Sequence, residues 1–75
     1  MEVGKEFIEG VRARHFARMH ESRRWWKELT KEERKAAFDR WLEKNPDDFR
    51  AGWGIELVSL THGTVQEIWE INTGK

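Results

Sequence analysis

Wound at about 100° per residue, the chain from residue 4 to 29 brings Phe7, Ile8, Val11, His15, Met19, Ser22, Trp25, Trp26 and Leu29 into one arc of about 120°. A strand, with its period of two, scatters the same residues over both faces. The spacing therefore predicts one long amphipathic helix over about 4–28, whose other side carries Glu6, Glu9, Arg14, His20, Glu21, Arg24 and Lys27. The next four residues after Leu29 read TKEE. Thr30 suits an N-cap and Glu33, at the third helical position, can reach back to the Thr30 amide, so a second helix is expected over about 31–44. There Ala37, Phe38, Trp41 and Leu42 share a face, opposite Glu32, Lys35, Asp39 and Glu43. With only Leu29 and Thr30 between them, the two helices are expected to turn sharply and pack antiparallel.

NPDD follows, with Asn45 as a favoured N-cap, Pro46 suited to the first helical position, and Asp47 and Asp48 complementing the positive helix end, so a short helix is expected over about 46–52. Beyond Gly54 the sequence IELVSLTHGTVQEIWEI alternates apolar and polar residues about His62-Gly63, which predicts a β-hairpin over about 55–71. Its register puts Val58, Leu60, Val65, Trp69 and Ile71 on one face, with Ile55, Leu57 and Ile68 on the other. The fold class read from the sequence is thus α+β: two antiparallel amphipathic helices, a short helical turn and a C-terminal hairpin packed on the helices.

At 75 residues the chain reads as one domain, and a chain of this size buries only about 60% of the surface it exposes when unfolded. It has no cysteine, so neither a disulfide nor a thiolate zinc site can staple it. Five tryptophans and four phenylalanines have to supply the core, at roughly 150 to 250 Å² buried apiece. No apolar run approaches the roughly 20 residues that span a bilayer, and MEVGKEFIEG lacks the apolar region of a secretory signal, so a cytoplasmic protein without membrane contact is expected.

Catalytic and metal motifs are missing from the sequence. HESRR, residues 20–24, is one residue short of the zinc motif HExxH, since Arg24 stands where the second ligand belongs. His15 and His20 are five apart and diverge by about 140° on a helix, too far to chelate one ion. His15 is expected in the core, His20 on the surface and His62 in the hairpin turn. Ser22 and Ser59 lie in no nucleophile elbow, and the glycines form no phosphate-binding loop. Asp47 and Asp48 are accounted for by helix capping. Neither a cofactor nor a metal is expected.

One run stands out against this background: RARHFARMHESRRWWK, residues 12–27. The chain is neutral overall, but residues 11–27 hold six Arg or Lys against one acid, so this stretch carries +5 and the remainder −5. Arg14, Arg18, Arg23, Arg24 and Lys27, with Trp25, are the candidate binding residues, because guanidinium groups make paired contacts with carboxylate or phosphate and stack on indoles. The plainer account is a solvated helix face whose tryptophans belong to the core. The three apolar residues on the other hairpin face, Ile55, Leu57 and Ile68, are the alternative interface.

The function expected is a small non-enzymatic protein-binding regulator, an inhibitor or accessory subunit of the kind phages and mobile elements encode as short chains. Its partner is a protein, and the two hairpin faces suggest a homodimer. A nucleic-acid-binding regulator using the Arg-rich helix is the alternative, although the isoelectric point of 6.8 lies well below the value above about 9 of dedicated nucleic-acid binders. A small enzyme or metal protein without a recognisable motif is the second alternative.

Overall fold

The computed structural model describes the backbone of residues 3–75 and the side chains of residues 13–75. The expectations for the Phe7, Ile8, Val11 and Arg12 side chains lie outside those described. Among the described residues, four α-helices, α1 (Val3–Glu28), α2 (Lys31–Lys44), α3 (Ile55–Ser59) and α4 (His62–Thr73), and a short 3-10 helix, Phe49–Gly52, make up the fold. Among the described residues there is no strand, so the expected α+β class with a hairpin over 55–71 is replaced by an all-helical one.

α4 is the element on which the others meet. It packs against α1, α2 and α3, and α1 and α2 make their main contacts with it rather than with each other, in place of the antiparallel pairing expected from their short connection. On the α4 wheel Thr64, Val65, Ile68 and Trp69, all buried, span an arc of about 140°, leaving Gln66, Glu67 and Glu70 on the wet side. That arc explains why the hairpin fails. A strand over 64–71 would put Ile68 on the face opposite Val65 and Trp69, whereas the helix buries all three together. Residues spaced by four satisfy both periods, so Val65 and Trp69 alone do not distinguish them.

The chain punctuation agrees with helices. Gly54, at φ 84°, precedes α3, and Gly74, at φ 73°, ends α4 with its N–H donating to Glu70 O in a left-handed cap. His62-Gly63 is no turn, because it forms the first residues of α4 and Gly63 has no positive φ.

Trp26 from α1, Ala37, Phe38 and Trp41 from α2, Val58 from α3 and Val65 and Ile68 from α4 form the core, with Trp69 also buried. Phe38 stacks on Trp41 at 5.9 Å, and the Trp41 Nε1, fully buried, has no hydrogen-bond partner among the described residues. α2 begins with the capping box: Thr30 Oγ1 accepts from Glu33 N at 3.1 Å and Glu33 Oε1 from Thr30 N at 2.8 Å. The next short helix departs from its expected bounds of 46–52. Asn45 closes α2, its side chain donating to Trp41 O at 3.0 Å, and Asp48 is the N-cap of the 3-10 helix, accepting from Arg50 N at 2.9 Å.

The described apolar stripe of α1 is buried only toward its C-terminal end, where Ser22 and Trp26 are buried and Met19, Trp25 and Leu29 half-buried. Residues 13–17 are all exposed. His15, expected in the core, is therefore a surface residue, its ring edge-on to Phe16 at 5.8 Å.

Candidate docking surfaces

The structure divides the basic run between the fold and the solvent. Arg18 Nη2 donates to Lys75 O at 2.9 Å, lies 3.5 Å from Glu70, and sets its guanidinium 4.9 Å from the Trp69 ring. Lys75 closes the same ring from 5.7 Å and pairs with Glu21 at 2.9 Å, and its hydrogen bond draws the Glu21 carboxyl below its usual range. Arg23 donates to Ser59 O, beside the bond from Trp26 Nε1 to Ser59 Oγ at 3.0 Å, and Ser59 Oγ donates on to Ile55 O at 2.7 Å. Arg18 and Arg23 are thus ties between α1 and the C-terminal half of the chain. Trp25 is half-buried against Trp26, their rings 6.1 Å apart, at the edge of a groove of about 290 Å³ shared with Leu29, Arg40 and Asn72.

Arg14, Arg24 and Lys27 remain exposed and, among the described residues, carry no ion pair. With Ala17, His20, Glu21 and Arg23, Arg24 and Lys27 line a shallow, open depression of about 520 Å³ on the outer side of α1. His20 is exposed there, and among the described residues no group of three or more His, Cys, Asp or Glu is placed to hold a metal ion.

The alternative interface of Ile55, Leu57 and Ile68 does not form. Ile68 is buried in the core and Ile55, the first residue of α3, is half-buried beside Lys31 and Arg34 of α2; only Leu57, 47% exposed, faces outward. The reason is the change of period, since helices rotate the three residues onto different sides.

An unexpected surface lies in residues 49–60. Phe49 is 77% exposed, Leu60 74% and Trp53 38%, and together with Leu57 they place four large apolar side chains in water within twelve residues. Phe49 and Trp53 meet edge to face at 5.4 Å. Between them Arg50 turns inward: its guanidinium pairs with Asp48 at 2.6 Å, pairs with Glu67, donates to Thr64 Oγ1 at 3.1 Å, and lies 5.1 Å from the Trp41 ring. The Arg50 hydrogen bonds pull the Asp48 carboxyl down to about 2, and the two carboxylates in turn raise the arginine further. This staple fixes the 3-10 helix on α2 and α4 by its polar residue and leaves its aromatic neighbours outside. Phe49 falls within the short helix expected over 46–52 and Trp53 one residue beyond it, and neither is expected from the sequence as a docking residue. The fourfold spacing of two aromatics around a single arginine was the available signal.

Among the described residues, no helix is long and apolar enough to cross a membrane. Comparison with protein-family models, with characterised proteins and with solved structures found no match to the chain.

Proposed function

We propose that the chain is a small non-enzymatic protein-binding regulator, of the inhibitor or accessory-subunit kind, that docks through Phe49, Trp53, Leu57 and Leu60. The observation carrying this reading is the exposure of these four side chains where, among the described residues, eight other apolar side chains are buried. Their summed exposed area is on the order of 500 Å², and Phe49 and Trp53 within it are in contact; apolar exposure of this order on a monomer is often functional where it is contiguous. Aromatic residues at the centre of a contact, ringed by polar ones, are also the pattern of protein–protein hot spots.

The test is capture from nuclease-treated lysate by the wild type and by a Phe49→Ser, Leu60→Ser double variant. Both changed side chains are in water, so helix content should persist while the captured proteins disappear. Retention of the same proteins by the variant refutes the surface.

A second reading, nucleic-acid binding by α1, is favoured by Arg14, Arg24 and Lys27 being exposed and having no ion pair among the described residues. It requires affinity for duplex DNA that falls with salt at a log–log slope of about −0.9 per phosphate neutralised. A contact centred on the apolar residues responds far less.

A further inference from the structure

We propose that the first occupant of the 49–60 surface is a second copy of this chain, which lays the outer side of its α1 across Phe49, Trp53, Leu57 and Leu60. The proposal rests on the reading of that surface as a docking site and names what docks. Three observations lead to it.

The first is charge. Residues 43–67, which carry the apolar surface, hold five acids, Glu43, Asp47, Asp48, Glu56 and Glu67, against Lys44 and Arg50. Arg50 is already bound by Asp48 and Glu67, whereas Glu43, Asp47 and Glu56 are exposed and have no ion pair among the described residues. The complementary set is on α1, where Arg24 and Lys27 are likewise exposed and without an ion pair among the described residues. A neutral chain with an acidic and a basic region attracts its own copies in one orientation without net repulsion.

The second is that the α1 side is apolar as well as basic. Phe16, 52% exposed, shares an arc of about 40° with His20 and Lys27, and Arg24 lies about 40° beyond. An aromatic ring with cations over the following three turns is matched in kind by the exposed rings of Phe49 and Trp53 in a stretch that also carries the exposed carboxylates Glu43, Asp47 and Glu56. Phe16 supplies the edge or face that aromatic pairs prefer, and the cations reach the rim.

The third is that the two surfaces adjoin. Arg23, on the border of the Phe16 side, donates to Ser59 O, so the residue preceding Leu60 sits against α1. A two-fold axis near this junction places each α1 on the other copy's apolar surface, and the contact closes as a dimer instead of propagating. Each copy then buries both its apolar surface and its α1 side, approaching the roughly 800 Å² per partner of a specific interface.

Sedimentation equilibrium from low to high micromolar concentration provides the test. The expected mass rises from the 9.0 kDa of one copy toward twice that value. Phe49→Ser, Leu60→Ser and, separately, Arg24→Glu, Lys27→Glu should each hold the chain at the monomer mass with an unchanged circular dichroism spectrum. An equal mixture of the two variants should regain the heavier species, because the intact α1 of one meets the intact apolar surface of the other. A wild type that stays at 9.0 kDa overturns the proposal, as does a dimer that survives in both variants or a mixture that remains monomeric. If either double variant loses its helical spectrum, Trp53→Ser and Lys27→Glu serve as the single replacements, with the same outcomes required. The docking reading fails separately: it falls if the Phe49→Ser, Leu60→Ser variant captures the same proteins as the wild type, whatever the mass of the chain.

Discussion

Arg23 and Arg24 are neighbours in sequence with different occupations. Arg23 reaches Ser59 O from a half-buried position, while Arg24 points into solvent. Arg23→Ala should therefore destabilise the protein by about 1 to 2 kcal/mol, the worth of a hydrogen bond from a charged donor, and Arg24→Ala by no more than about 0.5 kcal/mol. Denaturant titration of the two single variants checks the difference; equal midpoints would remove Arg23 from the fold. At Asp48 the consequence is a pH dependence. Its pKa in the fold, about 2, lies below the ordinary value of 3.8, so the stabilisation is present above the ordinary value and is lost as pH falls toward 2. Glu21 and Glu33, lowered by Lys75 and by the Thr30 amide, add to the slope with the same sign. Melting temperature should thus fall as acid is added below about pH 4, and Asp48→Asn should flatten that fall while lowering stability at neutral pH. A variant with the acid slope of the wild type would show that Asp48 is not its source.

Elements were legible in the sequence where one residue pattern admits one period. Thr30-Lys31-Glu32-Glu33 has a single structural use, and both bonds of the capping box are present at the start of α2. Residues 55–71 admit two periods. Apolar residues at 58, 60, 65, 69 and 71 alternate as a strand would, but Thr64, Val65, Ile68 and Trp69 fit a helix face equally well, and the choice depends on what lies against them. A helix of twelve residues is marginal alone, so the packing of α4 against α1, α2 and α3 decides it, a tertiary fact that local pattern does not carry. The glycines give the experimental contrast. Gly63 lies in the first turn of α4 with nothing within 4 Å of an added Cβ, so Gly63→Ala should stabilise by up to about 1 kcal/mol. Gly54 and Gly74, with φ of 84° and 73°, should lose about 1 kcal/mol on the same change. A hairpin turn at His62-Gly63 requires the opposite sign at position 63, so three thermal melts discriminate the folds.

At the scale of the whole molecule the candidate surfaces were only partly legible. Arg14, Arg24 and Lys27 could be named as candidate cations because charge is visible residue by residue; the loss of Arg18 and Arg23 to the fold, and the exposure of Phe49 and Leu60, depend on which elements come together. The resulting body extends 49 × 27 × 21 Å, and its described core draws on α1 only at Trp26. Stability must therefore be graded along that helix. Residues 13–17 are exposed on every side and depend on the helix's own hydrogen bonds, whereas Ser22 and Trp26 are buried. Such a turn opens locally at a small fraction of the global unfolding free energy, whereas opening the turn at Trp26 requires breaking the core. In a dilute solution of the chain, amide hydrogen exchange should then run fast at residues 13–17, slow by orders of magnitude toward residues 22–26, and be slowest in α4 near Ile68 and Trp69, where exchange waits for global unfolding. Uniform protection from residue 13 to 26 in that dilute sample would contradict the grading, because it requires residues 13–17 to be covered or α1 to open only as a single unit.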